Sequence, residues 1–280
     1  MRFRNLQIVC ATLAVMGMAA NNALAFPPYK VLDVKSGGTI SGVVRLQGEV
    51  PKGIALDVTK DNDWCGRRKV SPRLVVGKNG AVKNAVISLD IAEGKSFGPA
   101  RKFVLNQHKC EYEPHIMLLP PGSDLEILNS DPVLHNVHAY SPDAEPKTIF
   151  NIAQPVKGFR FPIRQNLLAS AGSYIATCDA GHPWMSAYII VPKHPYYAVT
   201  DAEGKFVLSD VPPGSYTITM WHEGVAVTKT ETQNGKTTAY HFEEPYEVAK
   251  EVTVGPEEKA KVDFELTLRF VNLSEKRITK

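Results

Sequence analysis

Residues Cys178 to Met185 read CDAGHPWM, which places a thiol, an imidazole and a thioether in one short stretch. Gly181 and Pro183 tighten the connection, so Cys178, His182 and Met185 can converge on a single ion. A fourth donor must then come from elsewhere, and the polar turn NSDPVLHNVH, residues 129–138, presents His135. Two neutral imidazoles and a thiolate with a weak axial thioether are the donor set of a copper site that exchanges single electrons. Sulfur suits Cu(I) and imidazole suits Cu(II), so one compromise geometry lets the ion change oxidation state with little rearrangement. Zinc fits less well, because a thioether is a poor zinc ligand and structural zinc takes a closed set of Cys and His. Taken alone, Cys178 would read as an inert thiol in a β core. The matching positions of the other three donors are what favour copper.

The cysteine count agrees. The chain opens MRFRNLQIVCATLAVMGMAANNALA, in which Arg2 and Arg4 precede an apolar run ending in the small-residue pattern Ala23-Leu24-Ala25, the form of a secretory signal peptide over residues 1–25. Export implies a periplasmic or secreted protein, and no later run is long and apolar enough for a membrane span. Cleavage would remove Cys10 and leave Cys65, Cys110 and Cys178, an odd number in a disulfide-forming compartment. Cys65 and Cys110 lie in polar loop-like sequence and are expected to pair. Cys178 is then the thiol that needs a metal or deep burial to persist. Without Arg2 and Arg4 there are 30 basic residues against 29 acidic ones, so nothing suggests a nucleic-acid partner.

Short β-branched and aromatic runs must position these groups. TISGVVRL, NAVISLDI, DLEIL, SYIATC, SAYIIV, SYTITMW and KVDFELTLRF are separated by Gly, Pro, Asn and Asp, and no window carries a long helical period. The expected class is all-β, built of sandwiches or barrels. Three blocks follow the leader: 26–100, which is β-rich; 101–193, with most of the unusual chemistry; and 194–280, again short strands. The boundary near Lys193 is bracketed by Pro192 and Pro195.

The segment 101–193 resembles a cupredoxin, most closely the amicyanin and plastocyanin types. The resemblance rests on a Pro121-Gly122 turn, a strand ending Asn129-Ser130, His135-Asn136-Val137-His138, then Ala171-Gly172-Ser173-Tyr174 leading to Cys178 and His182-Pro183-Trp184-Met185. It implies a Greek-key sandwich and one copper ion held by His135, Cys178, His182 and Met185, with Asn136 hydrogen-bonding the two ligand loops together. One departure is the C-x3-H spacing, where those families usually show C-x2-H. The binuclear copper domain of terminal oxidases shows x3, but also needs a cysteine four positions before Cys178; Tyr174 stands there, which implies a mononuclear site. His138, three residues beyond His135, faces the other way in a strand and reads as a surface or supporting residue. His108 and His115 read as surface or hydrogen-bonded core residues.

Thr200-Asp201-Ala202-Glu203-Gly204-Lys205-Phe206 followed by Pro212-Pro213-Gly214-Ser215-Tyr216-Thr217 is similar to the carboxypeptidase regulatory-like, prealbumin-type β-sandwich. Gly37 to Leu46 resembles the opening strand of that type, which implies a copper segment inserted between its parts and packed with it. The expectation is an electron carrier rather than an enzyme, paired with a redox protein such as a c-type cytochrome or a dehydrogenase. Further clustered histidines for an oxidase, a C-x-x-C-H haem site and an H-E-x-x-H zinc motif are all missing. The alternatives are an adhesion or scaffold sandwich with a structural or vestigial copper site, or a copper carrier. His182, Pro183 and Trp184 are expected to form the electron port, with the outer imidazole edge at the surface inside an apolar rim. The competing expectation turns Trp184 inward onto the neighbouring block.

Overall fold

The computed structural model describes residues 28–141, 143 and 145–269, so the expected leader, residues 1–25, lies outside the described residues. The chain is all-β. Its one α-helix among the described residues is the single turn Asn62–Cys65.

Two β-sandwiches are present. In the first, one sheet runs in the order Glu111–Glu113, Lys102–His108, Asp124–Asn129, Arg160–Ile163. The other runs Ile116–Leu118, Ser186–Val191, Gly172–Thr177, His135–Tyr140, Thr148–Gln154. Alternate residues point inward because side chains alternate across a strand, so Leu125 and Ile127 are buried while Asp124 is exposed. Leu105, Ile127, Val137, Ala139, Ala176, Ala187 and Ile189 fill the space between the sheets, and Cys178, Trp184 and Met185 belong to the same core. Full burial of one such aliphatic side chain contributes about 1.5–3 kcal/mol.

The second sandwich is drawn from both ends of the chain. Gly38–Gln47 pairs with Lys205–Val211 on one side and with Lys259–Lys261 and Phe264–Thr267 on the other. Val86–Leu89 lies between Tyr197–Val199 and Gly214–His222, and the latter pairs with Tyr246–Val254. Ile40, Val44, Ile87, Phe206, Ile218, Met220 and Phe264 form its core. Strands from before and after the first sandwich therefore complete one another.

The two bodies meet at Val86, Ile116, Tyr188 and Ile190, with Trp221 packed against them. Beside this apolar contact, buried Glu223 pairs with Arg73 at 2.8 Å and accepts a hydrogen bond from His115 of the first sandwich. Two further segments reach over one end of the first sandwich: the loop 58–66, and the hairpin of Val227–Gln233 and Lys236–Phe242.

Candidate metal centre

Two loops at one end of the first sandwich converge. The turn before the His135–Tyr140 strand is ordered by Asn129, whose side chain donates to the carbonyls of Val133 and Gln154, both at 2.9 Å, and accepts from the Asp131 N–H at 2.8 Å. This fixes Asp131 below His135. The second loop leaves the Gly172–Thr177 strand with Cys178 and returns at Ser186. Gly181 sits at φ +91°, a left-handed backbone that favours glycine. The Met185 N–H donates to the His182 carbonyl at 3.0 Å and closes the turn that carries the imidazole and the thioether together.

The donor atoms of His135, Cys178 and His182 lie within 4.8 Å of one another, and all three side chains are buried. His135 Nδ1 is 3.1 Å from His182 Nδ1, which in turn is 3.5 Å from Cys178 Sγ. Met185 is buried and belongs to the same core as Cys178. The outer nitrogens are both committed to carboxylates: His135 Nε2 to Asp131 at 2.9 Å, His182 Nε2 to Asp61 at 2.8 Å. A carboxylate partner selects the Nε2–H tautomer, which leaves both Nδ1 atoms as acceptors facing the sulfur. Facing acceptors repel, and a shared cation relieves that repulsion. The donor set thus fits a soft, one-electron metal ion.

The two strands that carry His135 and lead to Cys178 are stitched behind the site. Asn136 accepts from the Asp179 N–H at 3.0 Å and donates to Asn151, which links the His135 strand to the Cys178 loop. The buried Tyr112 hydroxyl donates to the carbonyls of Asn136 and Thr177. His138 faces away from the centre and bonds Asp179 and Thr148. His115 is the buried, hydrogen-bonded residue at the interface described above.

Burial dominates the electrostatics. It pushes the Cys178 thiol up to about 11, against the lowering effect of backbone N–H groups of Ala180 and Asn136. It pushes the His182 imidazole down to about 4, in spite of the bond to Asp61. For Asp131 burial alone would raise the carboxyl, but hydrogen bonds from His135, the Cys110 N–H, Trp64 and the Lys109 N–H outweigh it and hold it at about 2.

Cys65 and Cys110 form a disulfide, and among the described residues Cys178 is the free cysteine, buried. The bridge is also part of the site's frame. The Cys110 N–H donates to Asp131 at 2.7 Å, and its carbonyl accepts from the Trp184 indole at 3.0 Å. The expected electron port is corrected here. His182 is fully buried and Trp184 is 3% exposed, while Pro183 is only partly covered. Asp61 and Lys60 occupy the outer edge of His182, and Trp184 turns inward because its N–H finds the Cys110 carbonyl. Sequence reasoning did not single out Asp61 or Asp131. Asp131, four positions before His135, carried a local signal, whereas Asp61 is 121 residues from its partner.

Comparison with known proteins gives partial likenesses. A family model described as polysaccharide lyase family 4, domain II, matches residues 170–260. No curated protein matches the chain. Among solved structures, the chain is similar to a purple cupredoxin from Nitrosopumilus maritimus, at 22% identity over 33% of this chain and 99% of that one, with a TM-score of 0.27. It is similar to amicyanin from Paracoccus versutus at 19% identity over 38% of this chain and 96% of that one, TM-score 0.27. It is also similar to a copper-containing nitrite reductase from Thermus scotoductus SA-01 at 21% identity, TM-score 0.26, over 37% of this chain and only 25% of that one.

Proposed function

We propose that the protein is an exported, mononuclear copper protein that carries single electrons between redox partners such as a c-type cytochrome and a dehydrogenase. The observation that carries this reading is the buried convergence of His135, Cys178 and His182 donor atoms within 4.8 Å, with both histidines oriented by carboxylates. Met185 would supply the weak axial donor. The ion would provide the one-electron couple, and the chain's contribution is to hold the donors, shield them from water and keep them rigid through Asn136 and Tyr112. The cupredoxin-like order of motifs from Pro121 to Met185 supports the same reading. With His182 covered, the exposed apolar groups beside the centre are Trp64, 47% exposed and leaning on Asp131, and Leu134, next to His135. These would be the surface a partner meets. The prealbumin-type sandwich would serve as a docking or anchoring module.

The test is to load the purified protein with Cu(II) and record visible and electron paramagnetic resonance spectra. One equivalent of copper with an intense thiolate-to-copper band is expected. Failure to bind, or a spectrum without thiolate character, overturns the proposal. The sealed centre is also compatible with a purely structural ion, and stopped-flow reduction and reoxidation separate the two: a structural ion would resist both.

A further inference from the structure

The centre is closed by a loop that does not belong to its own sandwich. Residues Val58 to Gly66 precede the first sandwich in the chain, yet they lie across its ligand end. Asp61 accepts from His182 Nε2, and Lys60 Nζ donates to the Ala180 carbonyl at 2.6 Å, in the middle of the Cys178–His182 turn. Asn62 donates to the Val58 carbonyl at 2.7 Å and holds the loop's own bend. The loop entrance leans on the long hairpin, where the Tyr240 hydroxyl accepts from the Asp57 N–H at 2.9 Å and Thr59 bonds the Thr237 carbonyl at 3.4 Å. The Cys65–Cys110 bridge fixes its far end to the residue that also supports Asp131 and Trp184.

Asp61 itself is held in an uncommon backbone state. Its φ is 51° and ψ 38°, the left-handed region that few residues other than glycine occupy and that Asp tolerates best with Asn. Its carbonyl is taken by the Trp64 and Cys65 N–H groups at 3.0 and 2.8 Å. The side chain, 28% exposed, is thus aimed inward at a fully buried imidazole while the neighbouring Asp63 and Trp64 face solvent. The result is a second carboxylate–histidine pair matching Asp131–His135, but delivered from outside the sandwich by a covalently tethered strap.

We propose that Asp61 is the positioning residue of His182, and that the disulfide-tethered loop is the door of the centre, through which metal passes only when Asp61 lets go. This rests on the copper reading for the identity of the ion, but not for the orientation of the ring. With the Nε2–H donated to Asp61, the Nδ1 lone pair is presented to the sulfur and the ring cannot rotate.

The experiment therefore has a metal-free arm and a copper arm. In the metal-free protein, long-range proton–nitrogen correlation should read His182 as the Nε2–H tautomer, and Asp61→Ala should abolish that preference. An unchanged tautomer in Asp61→Ala overturns the positioning role whether or not copper binds. In the copper-loaded protein, loss of metal to a strong chelator should be roughly 10–100-fold faster in Asp61→Ala. It should also be faster in the Cys65→Ala/Cys110→Ala double variant and unchanged in Asp63→Asn. A wild-type rate in both opened variants overturns the door. Should Asp61→Ala fail to fold, Asp61→Asn keeps the shape and a weaker acceptor, and must show an intermediate rate for the proposal to stand. Should the wild type bind no copper while the tautomer responds to Asp61→Ala, the copper reading falls and the positioning role remains.

Discussion

His135 and His182 turn their Nδ1 atoms toward each other at 3.1 Å, in an edge-on arrangement of the rings, with Cys178 Sγ 3.5 Å from the His182 nitrogen. Three donors from two loops share one small volume. Cys178→Ser should therefore remove the thiolate-to-copper band and leave the fold intact, because a hydroxyl cannot replace the soft donor. Absorption spectra with circular dichroism as the fold control check this. A retained band would mean that the sulfur is not a ligand.

Met185 is buried, and its chain position is set by the N–H bond to the His182 carbonyl. An axial thioether tunes an ion more than it holds it. Met185→Gln should keep one equivalent of copper while shifting the spectrum and the reduction potential. Protein-film voltammetry measures the shift, and an unchanged potential would make Met185 a packing residue.

Trp184 lies in the core with its indole bonded to the Cys110 carbonyl. Trp184→Ala should cost about 3–5 kcal/mol in urea unfolding, since it empties a large buried volume and orphans that carbonyl. Trp64→Ala, at a half-exposed position whose side chain bonds Asp131, should cost less stability than Trp184→Ala and slow electron exchange with a partner cytochrome. The opposite pattern would return the port to Trp184.

Removal of the Cys65–Cys110 bridge should lower stability by about 2–4 kcal/mol, through the freedom the unfolded chain regains. Chemical denaturation of the double alanine variant measures it. Equal stability would show that the loop is held by its hydrogen bonds alone.

Glu223 supplies a dependence on acidity away from the metal centre. Burial alone would raise its carboxyl, but the facing His115 ring and Arg73 guanidinium, with His222 beside them, outweigh burial and lower it below the ordinary 4.5. A carboxyl depressed in the folded state stabilises above its unfolded value and loses that contribution as pH falls through the folded one. Urea stability should therefore decline below pH 4.5. Glu223→Gln should cost about 3–5 kcal/mol at neutral pH, by leaving Arg73 unpaired in the interior, and should flatten the acid decline. An unaltered acid limb would assign the decline to other carboxylates.

Much of this was legible in the chain. Strands such as Asp124–Asn129 and Gly172–Thr177 announce themselves by alternation and by the Gly and Asn that end them. The grouping of Cys178, His182 and Met185 is legible because one tight loop carries all three, and the Cys65–Cys110 pair follows from an odd count of thiols. What covers His182 was not legible. DNDWCGRR shows a polar loop with one cysteine, and nothing in it says that Asp61 adopts a left-handed backbone and points at a ring 121 residues away. Exposure of a loop depends on which distant segment lies over it, and a local pattern carries no record of that.

The pairing of Gly38–Gln47 with strands that begin at Lys205 and Lys259 spans more than 150 residues of sequence, about the longest closure in the described chain. A chain synthesised from its N-terminus presents this strand, with Ile40, Val44 and Leu46 on one face, long before its neighbours exist. The intervening Lys102–Val191 stretch forms its sheets from its own strands, and the Leu89 N–H bonds the Tyr196 carbonyl at 3.2 Å, so a folded inner body would shorten the effective loop that the outer sandwich must close. Without those partners the first strand would be an unpaired apolar edge, the kind of segment that chaperones shield. The body that carries His135, Cys178 and His182 thus draws its two sheets from its own strands, whereas the loop bearing Asp61 is braced by the late hairpin carrying Tyr240.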